Sequence, residues 1–203
     1  MLDARTGAIV TASMLASRPS YRDELRLHLA KVKADALATR EELYEAFLQL
    51  YLFAGFPAAL EASRALLRLF PIATNEVNND IASYYTVESF ARQGEELYKK
   101  VYAANHNVVK QGLIDISPEL AAWALVEGYG KTLSRANLDT KTRELAIVAI
   151  LTQLEWDRQL FSHILGSRNV GAVPQEITEA ARIGAKGDAK KFEIAEQLIR
   201  KIT

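Results

Sequence analysis

Apolar positions crowd most densely between Asp139 and Leu154, where Leu145, Ile147, Val148, Ile150, Leu151 and Leu154 cover almost the whole circumference of a helix. Such a helix has no wet face and belongs at the centre of a protein. Asp139 stands where a side-chain acceptor can satisfy the free N–H groups of its first turn. The pattern is interrupted at Leu154-Glu155-Trp156 and resumes as a stripe of three- and four-residue steps, Trp156, Leu160, His163, Ser167 and Val170, which predicts a second helix. Gly171 marks a turn, and Pro174 opens a third helix.

The same rhythm occurs near the start of the chain. Arg5 to Ser17 parallels Arg143 to Leu154, with Ala8-Ile9-Val10 against Ala146-Ile147-Val148. Asp23 to His28 then parallels Arg158 to His163, and Thr39 to Ala46 parallels Val173 to Ala180. An internal duplication is the simplest reading, with residues 1–73 as a diverged first repeat and 81–203 as the second, packed as one unit. In this register Thr6 holds the place of Glu144. Thr39 and Glu42 form a capping box, predicting a helix from Arg40 through Phe47 and Tyr51 to Gly55, with Phe56-Pro57 opening the next. Pro71 to Asp80, polar and rich in asparagine, is the expected linker. Helices are also expected from Phe90 to Tyr102, after Ser117-Pro118, and from Ala189 to Ile202. No stretch alternates with period two for long, so the chain is expected to be all-α.

Composition narrows the function classes. Among 203 residues, 25 Lys and Arg balance 25 Asp and Glu. No net field draws the protein to nucleic acid or to an anionic membrane. No run of residues reaches the roughly 18 apolar positions of a membrane span, and the first residues lack a signal-peptide pattern, so a cytoplasmic protein is expected. Cysteine is absent, which excludes disulfides, thiolate metal sites and a thiol peroxidase cycle run by this chain alone. The three histidines are widely spaced with no HExxH-like pairing, so no metal is expected.

The first chemistry to consider lies on the two central helices. Glu144 and His163 stand at comparable distances from the turn at Leu154 to Trp156. Folding the helices back at about 1.5 Å rise per residue brings the two side chains within reach, as an acid/base pair.

Arg143-Glu144-Leu145 at the start of a buried helix, then His163, Gly171, Pro174-Gln175-Glu176-Ile177 and Glu179, resembles the carboxymuconolactone decarboxylase family, which includes the alkylhydroperoxidase D proteins. Glu127-Gly128-Tyr129-Gly130 and Ala136 to Asp139 are similar to segments that precede this core in the decarboxylase branch, and Tyr51 to Pro57 resembles the segment after the family's glutamate helix. The resemblance implies an alkylhydroperoxidase D-like helical bundle built from two related repeats. It also implies decarboxylation without a cofactor, acting on a small lactone or carboxylic acid of aromatic catabolism. His163 would move the proton, Glu144 would orient it and Arg143 would hold the substrate carboxylate. Trp156 and Gln159 stand where the redox branch carries its C-x-x-C cysteines, and with Tyr129 and His28 they are the candidate substrate-binding residues. Trp156 either lines a pocket or seals the core. In the first repeat Tyr21 and Glu24 hold the cysteine places, while His106 is expected in a loop. The resemblance further implies a homo-oligomer, whether dimer, trimer or hexamer, held by amphipathic helices such as Ala58 to Phe70. A helical binding or assembly module that has lost the chemistry is the alternative.

Overall fold

In a computed structural model, which describes residues 1–72 and 86–202, the chain is all-α, and the described residues contain no strand. Most of the expected linker, residues 73–80, lies outside the described residues. The helices are α1 (Ala4–Ala16), α2 (Arg22–Ala34), α3 (Arg40–Leu48), α4 (Leu50–Phe53), α5 (Gly55–Leu69), α6 (Val87–Tyr102), α7 (His106–Ile116), α8 (Pro118–Trp123), α9 (Thr140–Leu154), α10 (Asp157–Asn169), α11 (Pro174–Ala185) and α12 (Ala189–Arg200). Packing divides the chain into two units. Met1–Phe70 and Asn137–Thr203 make one, and Pro71–Ala136 makes the other. No helix among the described residues is long and apolar enough to cross a membrane.

The first unit is built around α9. Every residue from Thr142 to Gln153 is buried, as the pattern of apolar positions requires, and the helix packs against α1, α10 and α11. The Asp139 side chain accepts from the Thr142 N–H at 2.9 Å and from its hydroxyl at 2.8 Å. The helix stops where Glu155 adopts a left-handed conformation (φ 62°), which turns the chain into α10. At the crossing of α9 and α11, a Cβ on Gly184 would lie 2.5 Å from the Ala149 carbonyl oxygen, so only glycine lets the backbones approach this closely.

Three local contacts of α9 and α11 recur in α1 and α3. Asp3 accepts from the Thr6 N–H at 2.8 Å and from its hydroxyl at 2.9 Å, as Asp139 does from Thr142. Arg5 pairs with Glu42 at 2.6 Å, as Lys141 pairs with Glu176 at 2.9 Å. Glu42 and Glu176 each accept the backbone N–H three residues back, at Thr39 and Val173. These contacts correct the register of the parallel. In the register of these contacts Thr6 stands against Thr142, and Ala8 rather than Thr6 against Glu144. Matching the apolar triplets slips the alignment by two residues, because uniformly apolar helices offer no register mark while polar caps do.

The helix expected from Arg40 to Gly55 is broken at Gln49, whose side chain is drawn into the interior by Arg143. Gly55 does have the positive φ (84°) expected of it, and it opens α5. On α5, Leu66 is buried while Phe56, Leu60 and Leu67 are exposed.

The second unit pairs α6 with a ten-residue π-helical segment, Ala124–Leu133. Glycine sits on both sides of the crossing. A Cβ on Gly94 would collide with the Leu125 carbonyl oxygen, and one on Gly130 with the Phe90 carbonyl oxygen. Beside it Tyr98, Tyr102 and Tyr129 pack ring on ring, with centroids 4.4 to 6.0 Å apart. Burial, with a smaller contribution from the charge of Glu95, pushes the Tyr98 hydroxyl up to about 12. His106, expected in a loop, begins α7, with its Nδ1 2.8 Å from the Ala103 carbonyl oxygen.

The caps of the first unit make its stability sensitive to acid. Hydrogen bonds from the Thr6 N–H and hydroxyl hold Asp3 below its usual 3.8. For Asp139 burial pushes upward, but the Thr142 N–H, its hydroxyl and Arg5 outweigh it and leave the carboxyl below 3.8. Glu42 and Glu176 are likewise pushed up by burial and brought below 4.5 by N–H groups and their cationic partners. A carboxyl with a lower value folded than unfolded stabilises the fold fully above the unfolded value, and that contribution is lost as pH falls through the folded one. The melting temperature should therefore be nearly level down to about pH 5 and fall steeply below about pH 4. Asp139→Asn should flatten that fall in a pH series of thermal melts, and an unchanged acid limb would assign the loss to other groups.

Candidate active site

Folding α10 back along α9 brings His163 to Glu144. The imidazole Nδ1 stands 2.8 Å from Oε2 of Glu144, with side-chain exposures of 9 % and 2 %. A carboxylate can only accept, so Nδ1 carries the hydrogen and Nε2 is left as the atom that gives or takes a proton. The ring is held on one face by Phe53 of α4, edge to face at 5.4 Å and 86°. Phe53, with Leu52, Leu151, Trp156 and Gln159, also lines a depression of about 300 Å³. Phe53 thus belongs both to the wall of that depression and to the packing of the imidazole.

Trp156 does not seal the core. It is 57 % exposed on the rim of the depression. Its backbone (φ −94°, ψ 72°) is the non-helical N-terminal boundary of α10, so the helical stripe of Leu160 and His163 does not extend to it. Gln159 is exposed in the same lining.

Arg143 is committed elsewhere. It is 1 % exposed, and its Nη2 lies 2.9 Å from Oε2 of Glu45, itself fully buried on α3. Nε donates to the Leu138 carbonyl at 3.1 Å, and Nη1 reaches the Glu45 carbonyl at 3.5 Å and Oε1 of Gln49 at 3.4 Å. Gln49 in turn donates to the Arg143 carbonyl at 3.3 Å. In this arrangement the guanidinium ties α9 to α3, so the expectation that it holds a substrate carboxylate has no free donor fork to rest on. A buried charge is retained at such a place when it is both ion-paired and hydrogen-bonded. Glu45 and Gln49 escaped the sequence reading. Helical spacing groups both with Glu41 and Glu42, away from the apolar face of Leu43, Ala46, Phe47 and Leu50, so no local signal marked them as buried.

His28 is half-buried, with Nε2 2.9 Å from the carbonyl oxygen of Ala8. It therefore faces the place that Glu144 holds in α9, but meets a backbone oxygen instead of a carboxylate. Tyr21 accepts from the Gln153 amide at 3.1 Å. Tyr129 belongs to the other unit, where its hydroxyl donates to that of Tyr102 at 2.8 Å. Among the described residues no group of three or more His, Asp or Glu side chains is placed to hold a metal ion.

Residues 119–188 match the model of the carboxymuconolactone decarboxylase family. The chain matches no curated protein. The matched segment contains the capped and buried α9, the turn into α10, and the Glu144–His163 pair. Over residues 119–188, about a third of its length, the chain is thus similar to the carboxymuconolactone decarboxylase family.

Proposed function

We propose that the chain is a cofactor-free decarboxylase of a small lactone or carboxylic acid, with His163 and Glu144 as its proton-transfer centre. The observation that carries this reading is the buried 2.8 Å contact between Nδ1 and the carboxylate. A dry carboxylate beside one ring nitrogen orients the imidazole and stabilises its cation, leaving Nε2 directed at a ligand. In the proposed reaction the bond from the substrate's ring carbon to its carboxylate breaks and carbon dioxide leaves. The electron pair spreads into the unsaturated lactone, and Nε2–H of the imidazolium returns one proton to carbon. The substrate enters through the depression rimmed by Trp156 and Gln159, with Phe53 displaced from the imidazole. Arg143 acts in this scheme as a positioning residue that fixes the start of α9.

A non-catalytic binding role is the second reading, and the commitment of Arg143 to Glu45 favours it, because the anion-binding cation implied by the resemblance is already neutralised. Carbon dioxide release from γ-carboxymuconolactone by the purified chain decides between them, since the binding role requires the lactone to be left unchanged. We also propose a homo-oligomer that covers Phe56, Leu60 and Leu67 of α5. Light scattering of the chain and of Leu60→Asp would show a larger mass only in the former.

A further inference from the structure

We propose that a second pocket, enclosed by the end of α1, the start of α2 and the inner face of α5, binds a small monocarboxylate with an apolar body. The pocket holds about 200 Å³ and shares no lining residue with the Glu144–His163 pair. Its walls are apolar: Leu15 and Leu25 close the bottom, and Ala58, Ala62 and Ala65 of α5 leave room that larger side chains would fill. Two arginines, Arg18 and Arg22, also line it.

Neither arginine is ion-paired among the described residues. Arg18 is half-buried, donates from Nη2 to the Gln153 carbonyl at 3.0 Å, and has its Nε buried without a partner. The acid in the lining, Glu61, already pairs with Arg64 at 2.6 Å. The Ser17 hydroxyl also contributes to the wall and donates to the Met14 carbonyl at 2.7 Å. The pocket therefore combines an apolar interior with two guanidinium groups that have no ion-pair partner among the described residues. The Nη1 group of Arg18 and the guanidinium of Arg22 are left as donors, and a guanidinium beside an apolar wall favours an anionic acceptor. A carboxylate can accept from the remaining N–H groups of Arg18 and from Arg22, and the rest of the ligand displaces water from the alanine-lined wall. The volume falls below the roughly 300–1,000 Å³ of sites for drug-sized ligands, which points to a single ring or a short chain.

Benzoate is the probe, titrated calorimetrically into the full chain with benzamide as its uncharged counterpart. Expected are one saturable benzoate site per chain, benzamide weaker by at least about tenfold, and a loss of about tenfold in Arg18→Gln and in Arg22→Gln. Ala58→Phe should abolish binding by filling the pocket without touching either charge. Arg22 is exposed, so its variant and Ala58→Phe remain informative even where Arg18→Gln disturbs folding. Absence of saturable binding at millimolar benzoate overturns the proposal, as does equal binding of benzamide. Binding that survives Ala58→Phe but disappears in His163→Ala also overturns it, by moving the ligand to the other site. Decarboxylation is read separately, so either proposal can fail alone.

Discussion

Alanine in place of His163 is expected to lower the rate of carbon dioxide release by about 10²–10⁴-fold, the range that a positioned acid or base contributes. The loss should appear in kcat with little change in KM, because Nε2 acts on the developing carbanion and not on the bound ground state. Glu144→Gln keeps an oxygen that accepts from Nδ1 but removes the charge that supports the imidazolium. It should fall between the native protein and His163→Ala. Glu144→Ala adds a structural penalty, since a buried N–H left without an acceptor costs about 1–3 kcal/mol. Steady-state rates beside denaturant melts separate the two effects. If His163→Ala turns over as fast as the native chain, the proton-transfer assignment is wrong.

Alanine in place of Glu45 should destabilise the first unit by about 3–5 kcal/mol, because it leaves the guanidinium of Arg143 buried without its counter-charge. That is a large share of the unfolding free energy of an ordinary domain, about 5–15 kcal/mol, so the variant should melt far below the native protein or fail to fold. Replacing both partners with apolar residues, Glu45→Met with Arg143→Leu, should restore much of the loss, since neither charge then remains to be solvated. Denaturant midpoints of the two single variants and the double variant give the coupling energy. If the single variants prove as stable as the native protein, the pair makes no net contribution. If the double variant also retains carbon dioxide release, Arg143 has no direct part in binding the substrate.

How much of this was legible beforehand depends on the kind of signal each residue carries. The burial of α9 followed from a run of apolar residues that leaves no polar face, and the caps at Asp139, Thr39 and Ser117 followed from side chains whose oxygens reach only the next turn. The approach of Glu144 to His163 was legible because two antiparallel helices joined by a short turn bring residues at comparable distances from it near each other. Each of these rests on local geometry or on one turn.

The pairing of Arg143 with Glu45 lies beyond such reasoning, because 98 residues separate the partners and only packing decides which buried acid meets which buried base. Trp156 shows the same limit from the other side. A stripe at helical spacing placed it with Leu160 and His163, but Trp156 is the non-helical N-terminal boundary of α10 and lies exposed on the rim of the depression. Sequence alone determined an all-α protein with a buried helix carrying a carboxylate opposite an imidazole, because periodicity and capping are written within a few residues. Only the tertiary structure decided that Arg143 is a tie between helices, that Asp3 and Thr6 make the same cap contacts as Asp139 and Thr142, and that Arg18 and Arg22 gather at an apolar pocket. Those outcomes depend on which distant surfaces meet, and no local pattern records that.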